Sequence, residues 1–157
     1  MVKNDVVRRA AVHAATLGPI GLWPWGPGTA ASVVVTVLWL VARPDSMWVG
    51  IAAIVLTVIG VPIATRAERA LGEDDGRIVI DEAAGMAWAL VITPAGWSGA
   101  AISLLLFRIF DIVKPWPVRR FERIGGGLGV MLDDVAAGVM AAVVTAVLAA
   151  WLGTRFF

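Results

Sequence analysis

Two pairs of neighbouring carboxylates stand beside long apolar stretches of this sequence. Asp81 and Glu82 precede one run of small and apolar residues, and Asp133 and Asp134 precede another. The pattern Asp-x-Ala-Ala-Gly begins at both Asp81 and Asp134, so each carboxylate lies one helical turn before a glycine. Acids in a first helical turn stabilise the helix dipole by about 0.3–1 kcal/mol each, which explains one pair. Two converging pairs would repel each other, and they favour a site for Mg²⁺, which prefers oxygen ligands.

A second group of charges recurs at every third residue before a proline. Arg108, Asp111 and Lys114 share one face of a predicted helix that Pro115 ends. The spacing is typical of ion pairs within a helix. It is equally compatible with a site in which Asp111 binds a metal ion or water and the two cations bind phosphate.

Hydroxyl groups follow the Gly/Pro-rich segment that ends at Pro27-Gly28. Thr29 is expected as the N-cap of the next helix, because its hydroxyl can accept a hydrogen bond from a free backbone N–H. The alternative is that the free N–H groups of this helix start, together with Thr29 and Ser32, hold a phosphate.

The composition excludes several kinds of chemistry. The 157 residues include no cysteine and one histidine, His13, which excludes disulfides, thiolate-bound metals and mechanisms that need two histidines. The formal net charge is +1, so no nucleic-acid partner is expected. The available chemistry is that of carboxylates, hydroxyls, lysine, arginine and a hard cation.

The distribution of charge predicts a membrane protein. Apolar residues make up 59% of the chain and charged residues 16%, against about 45–50% and about 25% in soluble domains. Lys, Arg, Asp and Glu are absent from four stretches, residues 10–42, 46–65, 83–107 and 135–154. A helix that crosses the hydrocarbon core needs about 20 such residues. We therefore predict one domain over residues 1–157, an all-α, compact multi-pass membrane bundle.

The expected helices cover about 29–42, 46–70, 81–93, 97–114 and 134–152, after an N-terminal interfacial helix within residues 1–17. The turn signal Thr93-Pro94-Ala95-Gly96-Trp97 divides the third uncharged stretch, and a helical hairpin is expected there. With a hairpin, all of the 13 basic residues except Arg43 and Arg155 lie on one side, which the positive-inside rule makes cytoplasmic. A single span through residues 83–107 would divide them nearly evenly.

Four segments, in register, resemble the phosphatidylglycerophosphatase A family over roughly residues 18–152. They are Gly26-Pro27-Gly28-Thr29; Ile78-Val79-Ile80-Asp81-Glu82 with Gly85-Met86; Phe107-Arg108-Ile109-Phe110-Asp111 with Lys114-Pro115-Trp116-Pro117; and Gly126 to Asp134 with Ala137-Gly138-Val139. The resemblance implies a Mg²⁺-dependent bacterial membrane phosphatase. Such an enzyme removes the terminal phosphate of phosphatidylglycerophosphate to give phosphatidylglycerol, the last step in making that lipid. One departure is Ala31-Ser32, where the family pattern has a Gly-Ser pair.

Residues and resemblance together predict an active site at headgroup depth on the cytoplasmic face. The predicted metal ligands are Asp81, Glu82, Asp133 and Asp134, with Asp111 as a fifth catalytic carboxylate. Arg108 and Lys114 are expected to neutralise the phosphoryl oxygens, with Thr29 and Ser32 as further phosphate contacts. The chain contains no Asp-x-Asp pair of the kind that forms phospho-enzymes, which favours direct attack by water.

Two other functions use similar residues. A small transporter or ion-conducting protein would also carry carboxylates in apolar helices, but it should place them near the middle of the membrane. A CDP-alcohol phosphotransferase would show Asp-Gly-x-x-Ala-Arg, and the sequence lacks that pattern. The phosphatase is therefore the preferred hypothesis, with the transporter as the alternative.

Overall fold

The computed structural model describes residues 2–73 and 75–153, with side chains from residue 5 onward except at residue 122. The described residues form helices and no strand. The helices are α1 (Val2–Ala15), α2 (Pro27–Ala42), α3 (Ser46–Leu71), α4 (Ile80–Leu90), α5 (Trp97–Val113), α6 (Val118–Glu122) and α7 (Gly126–Leu152). A single 3₁₀ turn, Ile20–Leu22, lies between α1 and α2. The prediction of an all-α protein is confirmed.

Two of these helices are long and apolar enough to cross a membrane. They are α3, with 26 residues, and α7, with 27, while α2 is apolar but shorter. Both long helices expose large apolar side chains, such as Val58 and Val147. An exposed apolar surface of this kind is stable in lipid rather than in water. These features indicate a membrane protein, and the multi-pass arrangement stays a prediction.

The turn predicted within residues 83–107 is present, and α4 and α5 pack side by side across it. The Ser103 hydroxyl on α5 donates a hydrogen bond to the Ala89 carbonyl on α4 over 3.0 Å. The Thr93 hydroxyl donates to the same carbonyl over 2.8 Å. The C-terminal part of α5 consequently returns to the level at which α4 begins, where Arg108 lies near Glu82.

Helix α4 is the most buried helix and packs against α2, α3, α5 and α7. Its closest approach is to α7, at the two glycines that end the Asp-x-Ala-Ala-Gly patterns. A Cβ added to Gly138 would overlap the Gly85 carbonyl oxygen, and one added to Gly85 would lie 2.6 Å from the Asp134 carbonyl oxygen. The two backbones are therefore in direct contact, as small residues permit between membrane helices.

The predicted start of the last helix, residue 134, was wrong. Helix α7 begins at Gly126, so the Gly-rich segment before Asp133 is part of the helix. A Cβ added to Gly127 would overlap the backbone N of Thr65, so glycine is what allows this end of α7 to pack against α3. Asp133 and Asp134 thus lie about two turns inside α7, and the helix-dipole explanation does not apply to them.

The start of α2 also differs from the prediction. The helix begins at Pro27, with Gly26 as its N-cap in the left-handed conformation (φ 75°). Proline is favoured at the first helical position, where no N–H is needed. Thr29 therefore lies inside the first turn and is not the N-cap.

The predicted N-terminal helix is present as α1, which packs against α3. The Arg8 guanidinium donates a hydrogen bond to the Ala70 carbonyl over 3.1 Å. The Val79 N–H, just before α4, donates to the Ala15 carbonyl over 2.9 Å. These contacts attach α1 to the segments that lead into α4, and its location at the membrane interface stays a prediction.

Candidate active site

Three of the predicted carboxylates meet where α4 crosses α7. Oxygen atoms of Asp81, Glu82 and Asp134 all lie within 4.8 Å of one another, and we call these three residues the carboxylate cluster. Asp81 and Asp134 are buried. The contact between Gly85 and Gly138 lies one turn away, and it brings the two helices close enough for these carboxylates to converge.

Each member of the carboxylate cluster has a buried oxygen without a hydrogen-bond partner among the described residues. These atoms are Asp81 Oδ1, Glu82 Oε2 and Asp134 Oδ2. An unsatisfied buried polar atom costs about 1–3 kcal/mol, and more when it is charged. Carboxylate oxygens are ligands that Mg²⁺ prefers, so the donor set fits a hard divalent cation.

Asp133 lies next to the carboxylate cluster but has different partners. Its Oδ2 accepts a hydrogen bond from Lys114 Nζ over 2.8 Å, and its Oδ1 accepts one from the Asp134 N–H over 3.0 Å. Asp133 therefore lies outside the carboxylate cluster, although its neighbour in the chain, Asp134, belongs to it. Lys114 ends α5 in the left-handed conformation (φ 47°).

Arg108 connects α5 to the carboxylate cluster. Its Nη1 lies 2.7 Å from Asp111 Oδ2 and 3.8 Å from Glu82 Oε1. The ion pair with Asp111 is the one that the three-residue spacing predicts within a helix. The contact with Glu82 also brings the guanidinium to the edge of the cluster. Its Nε is buried and has no hydrogen-bond partner among the described residues.

A cavity of about 150 Å³ opens beside the carboxylate cluster, and we call it the acidic cavity. Its charged lining comprises Glu68, Asp75, Asp81, Glu82, Asp111, Asp133, Asp134 and Lys114. The predicted carboxylates and one of the two predicted cations therefore line a single cavity. So many acids around one small volume repel one another unless cations are bound.

Two acids of the acidic cavity, Glu68 and Asp75, were not predicted from the sequence, and they lie at the end of α3 and in the segment after it. A usable signal existed for Glu68, because Gly60, Ala64 and Ala67 form a stripe of small residues along α3. Such stripes mark the faces on which membrane helices pack, and position 68 continues this one. Asp75 has no comparable signal. Its side chain accepts hydrogen bonds from Arg77, which lower the pKa of Asp75 below its ordinary value.

The two predicted hydroxyl groups do not line the acidic cavity. Thr29 is exposed on the first turn of α2. The buried Ser32 hydroxyl donates a hydrogen bond to the Gly28 carbonyl over 2.8 Å. Gly28 itself packs against Glu82, because a Cβ added there would overlap the carboxylate. The start of α2 therefore reaches the carboxylate cluster through the Gly28 backbone.

Comparison of the sequence with known protein families identifies the family of this chain. The model of the phosphatidylglycerophosphatase A family matches residues 13–149. The matched segment includes the crossing of α4 with α7 and every residue of the carboxylate cluster. The chain belongs to the phosphatidylglycerophosphatase A family. The resemblance in the sequence segments is thereby confirmed, and the protein is a phosphatase.

Three curated relatives align with this chain over most of their own length. Phosphatidylglycerophosphatase A of Escherichia coli is 36% identical in an alignment of 127 positions, which covers 78% of this chain and 73% of that protein. The Haemophilus influenzae phosphatidylglycerophosphatase A is 30% identical in an alignment of 163 positions, which covers 97% of this chain and 99% of that protein. A Bacteroides thetaiotaomicron protein, provisionally named a phosphatidylinositol-3-phosphatase, is 40% identical over 84% of this chain and 88% of its own. No solved structure matches this chain.

Proposed function

We propose that this protein is a Mg²⁺-dependent phosphomonoesterase that hydrolyses phosphatidylglycerophosphate to phosphatidylglycerol and phosphate. The observation that carries the proposal is the carboxylate cluster, with oxygens that have no partner among the described residues. Arg108 Nη1 lies 3.8 Å from Glu82 Oε1, and Lys114 lines the same cavity as the cluster. Two relatives are named for this substrate, and a third for another lipid phosphomonoester. A charged phosphomonoester on an apolar lipid also suits a polar cavity at the end of apolar helices.

Asp81, Glu82 and Asp134 would hold the metal ion. When bound, the ion supplies positive charge to the phosphoryl oxygens and lowers the pKa of a coordinated water. The contact between Gly85 and Gly138 fixes the separation of these ligands, and the Gly28 backbone limits the movement of Glu82. The site is thus preorganised by backbone packing rather than by flexible side chains.

The remaining charged residues act on the phosphate and on the attacking water. Arg108, held by Asp111, and Lys114, held by Asp133, would neutralise charge on the phosphoryl oxygens as the ester bond breaks. Asp111 and Asp133 line the acidic cavity outside the carboxylate cluster, where a carboxylate can accept the proton of the attacking water. Thr29, exposed on the first turn of α2, is proposed as a further contact for the headgroup. The buried Ser32 would act through the Gly28 carbonyl.

We place the acidic cavity on the cytoplasmic side of a bacterial inner membrane. The cavity lies where α3 ends and α4 begins, the region in which the basic residues of the sequence accumulate. The positive-inside rule assigns such a region to the cytoplasm. In this topology α2, α3 and α7 span the bilayer and the α4–α5 hairpin enters it partway, since 11 residues of α4 cover only about 17 Å.

Phosphate release from defined lipids in detergent micelles tests the proposed function. We expect release from phosphatidylglycerophosphate with Mg²⁺, a fall of at least about 100-fold with EDTA, and recovery when Mg²⁺ is restored. Phosphatidylinositol 3-phosphate and phosphatidic acid, assayed in parallel, measure the preference for the headgroup. Undiminished release in EDTA would contradict the metal site. If a well-folded protein released phosphate from none of these lipids, the transporter would become the preferred hypothesis.

Substitution of Arg108 tests the cationic part of the site. We expect Arg108→Gln to lower kcat/KM by about 10²-fold, since it removes a charge that strengthens phosphate binding in the transition state. Arg119→Gln, an exposed residue of α6, is the matched control and should change kcat/KM less than about twofold. Equal effects of the two substitutions would mean that only the general positive charge of the surface matters.

A further inference from the structure

A second, larger cavity lies on the other side of the segment that leads into α4. It has a volume of about 630 Å³ and lies between α1, residues 16–22 and the C-terminal end of α3. Its charged lining comprises Arg8, Arg9, Arg77 and a single acid, Asp5, and His13 also lines it. We call this the basic cleft.

The basic cleft is separate from the acidic cavity, and residues 75–79 form the wall between them. Arg77 lines the basic cleft, whereas Asp75, Gly76 and Ile78 line the acidic cavity. On the side of the basic cleft, Gly21 packs directly against the backbone of this wall, since a Cβ added to Gly21 would overlap the Arg77 carbonyl oxygen. The function proposed above leaves the basic cleft unused.

The chemistry of the basic cleft matches a phosphate group attached to an apolar chain. Guanidinium groups bind phosphate oxygens with paired hydrogen bonds. Among the described residues Arg9 has no hydrogen bond or ion pair, so its guanidinium is available. A neighbouring hollow adds Arg66 and Arg69 to Arg8 and extends the positive surface along α3.

Apolar residues complete the lining of the basic cleft and favour a lipid over a free anion. They are Val12, Pro19, Leu22 and Leu71. Leu22 is 66% exposed and the adjacent Trp23 54% exposed, as expected of side chains that contact lipid at the edge of a membrane. The volume of the basic cleft falls in the range of sites for molecules much larger than inorganic phosphate.

We propose that the basic cleft binds an anionic phospholipid through its headgroup phosphate, as a second lipid site apart from that of the substrate. The headgroup would contact Arg8 and Arg9, while the first carbons of an acyl chain lie against Leu22 and Val12. Arg77, whose Nε and Nη2 donate to Asp75 over 2.8 and 2.6 Å, lies on the wall side of the cleft. The proposal does not depend on the reaction that the acidic cavity catalyses.

Native mass spectrometry of the full chain in detergent tests the proposal directly. The probes are phosphatidylserine, phosphatidylcholine and inorganic phosphate, none of which is a lipid phosphomonoester. We expect the protein to retain phosphatidylserine in preference to phosphatidylcholine, and an excess of inorganic phosphate not to displace it. Arg9→Gln should weaken retention about fivefold and the double variant Arg8→Gln/Arg9→Gln about 25-fold, from the usual contribution of a basic residue near anionic lipid.

Controls separate this proposal from folding and from the active site. Arg119→Gln/Arg120→Gln removes two exposed cations of α6 outside the basic cleft and should leave retention unchanged. Arg8→Gln also removes the hydrogen bond to Ala70, so the single variant Arg9→Gln decides the result if the double variant unfolds. Asp134→Asn should retain phosphatidylserine normally whatever its activity. Equal retention by wild type and Arg9→Gln, equal retention of phosphatidylcholine, or displacement by phosphate would each overturn the proposal.

Discussion

Asp134→Asn should lower phosphate release by about 10²- to 10³-fold, the range seen when a group that stabilises transition-state charge is removed. Asn has the shape of Asp but no charge, so the variant keeps the packing of α7 and loses an anionic ligand from the carboxylate cluster. Phosphate release at the Mg²⁺ concentration that saturates the wild type measures the effect. Partial recovery at higher Mg²⁺ concentrations is expected, because the substitution weakens the binding of the ion.

The same substitution should raise the thermal stability of the metal-free protein. Asp134 is buried near Asp81 and Glu82, and removing one of three neighbouring negative charges relieves their repulsion. The control is Asp45→Asn, an exposed acid just before α3, about 33 Å along that helix from Glu68. It should change neither activity nor Tm. A fully active Asp134→Asn variant would show that the carboxylate cluster does not act in the reaction.

Gly138→Ala should reduce activity by about 10²-fold, although residue 138 contacts no substrate. The added methyl group would overlap the Gly85 carbonyl oxygen, so α4 and α7 must move apart. That movement displaces Asp81 from Asp134, and a displacement of about 1 Å at a catalytic group can cost about 100-fold in rate. The strain should also lower the free energy of unfolding by about 1–3 kcal/mol. Kinetics and thermal unfolding in the same detergent measure both effects.

Gly50→Ala provides the matched control for this prediction. Gly50 lies within α3, and a Cβ added there would meet only Val91 Cγ1, at the ordinary contact distance of 3.9 Å. Alanine in a helix is favoured over glycine by about 0.5–1 kcal/mol, so this variant should be fully active and no less stable. If Gly138→Ala behaved like Gly50→Ala, the close crossing would have no role in positioning the carboxylates.

The sequence predicted the helices best where charge and proline mark their ends. Helix α3 begins directly after Pro44-Asp45, and α5 ends beside Pro115, each within one residue of the prediction. These signals are local, because proline restricts its own backbone and that of the preceding residue. The convergence of Asp81 with Asp134 was also predictable, from a repeated pattern that puts a small residue one turn after each acid.

Glycine caused the main error, because its meaning depends on tertiary contacts. A run of glycines is unfavourable in an isolated helix, yet Gly127 lets α7 pack against Thr65, and that packing stabilises the extra turns. Asp133 and Asp134 were both predicted as metal ligands, and Asp134 is the one that lies in the carboxylate cluster. Asp133 Oδ2 accepts a hydrogen bond from Lys114, a residue whose position depends on how α5 packs. Glu68 and Asp75 join the acidic cavity for the same kind of reason, through packing between distant segments.

The left-handed backbone at Lys114 sets the stability of this enzyme against its turnover. A helix usually ends on glycine in that conformation, and another L-residue there costs about 1–2 kcal/mol. A library sorted by heat resistance alone should therefore enrich glycine or asparagine at position 114. Each would relax the backbone and discard the ammonium group that faces Asp133. Position 114 is thus one at which selection for stability and selection for turnover should choose different amino acids.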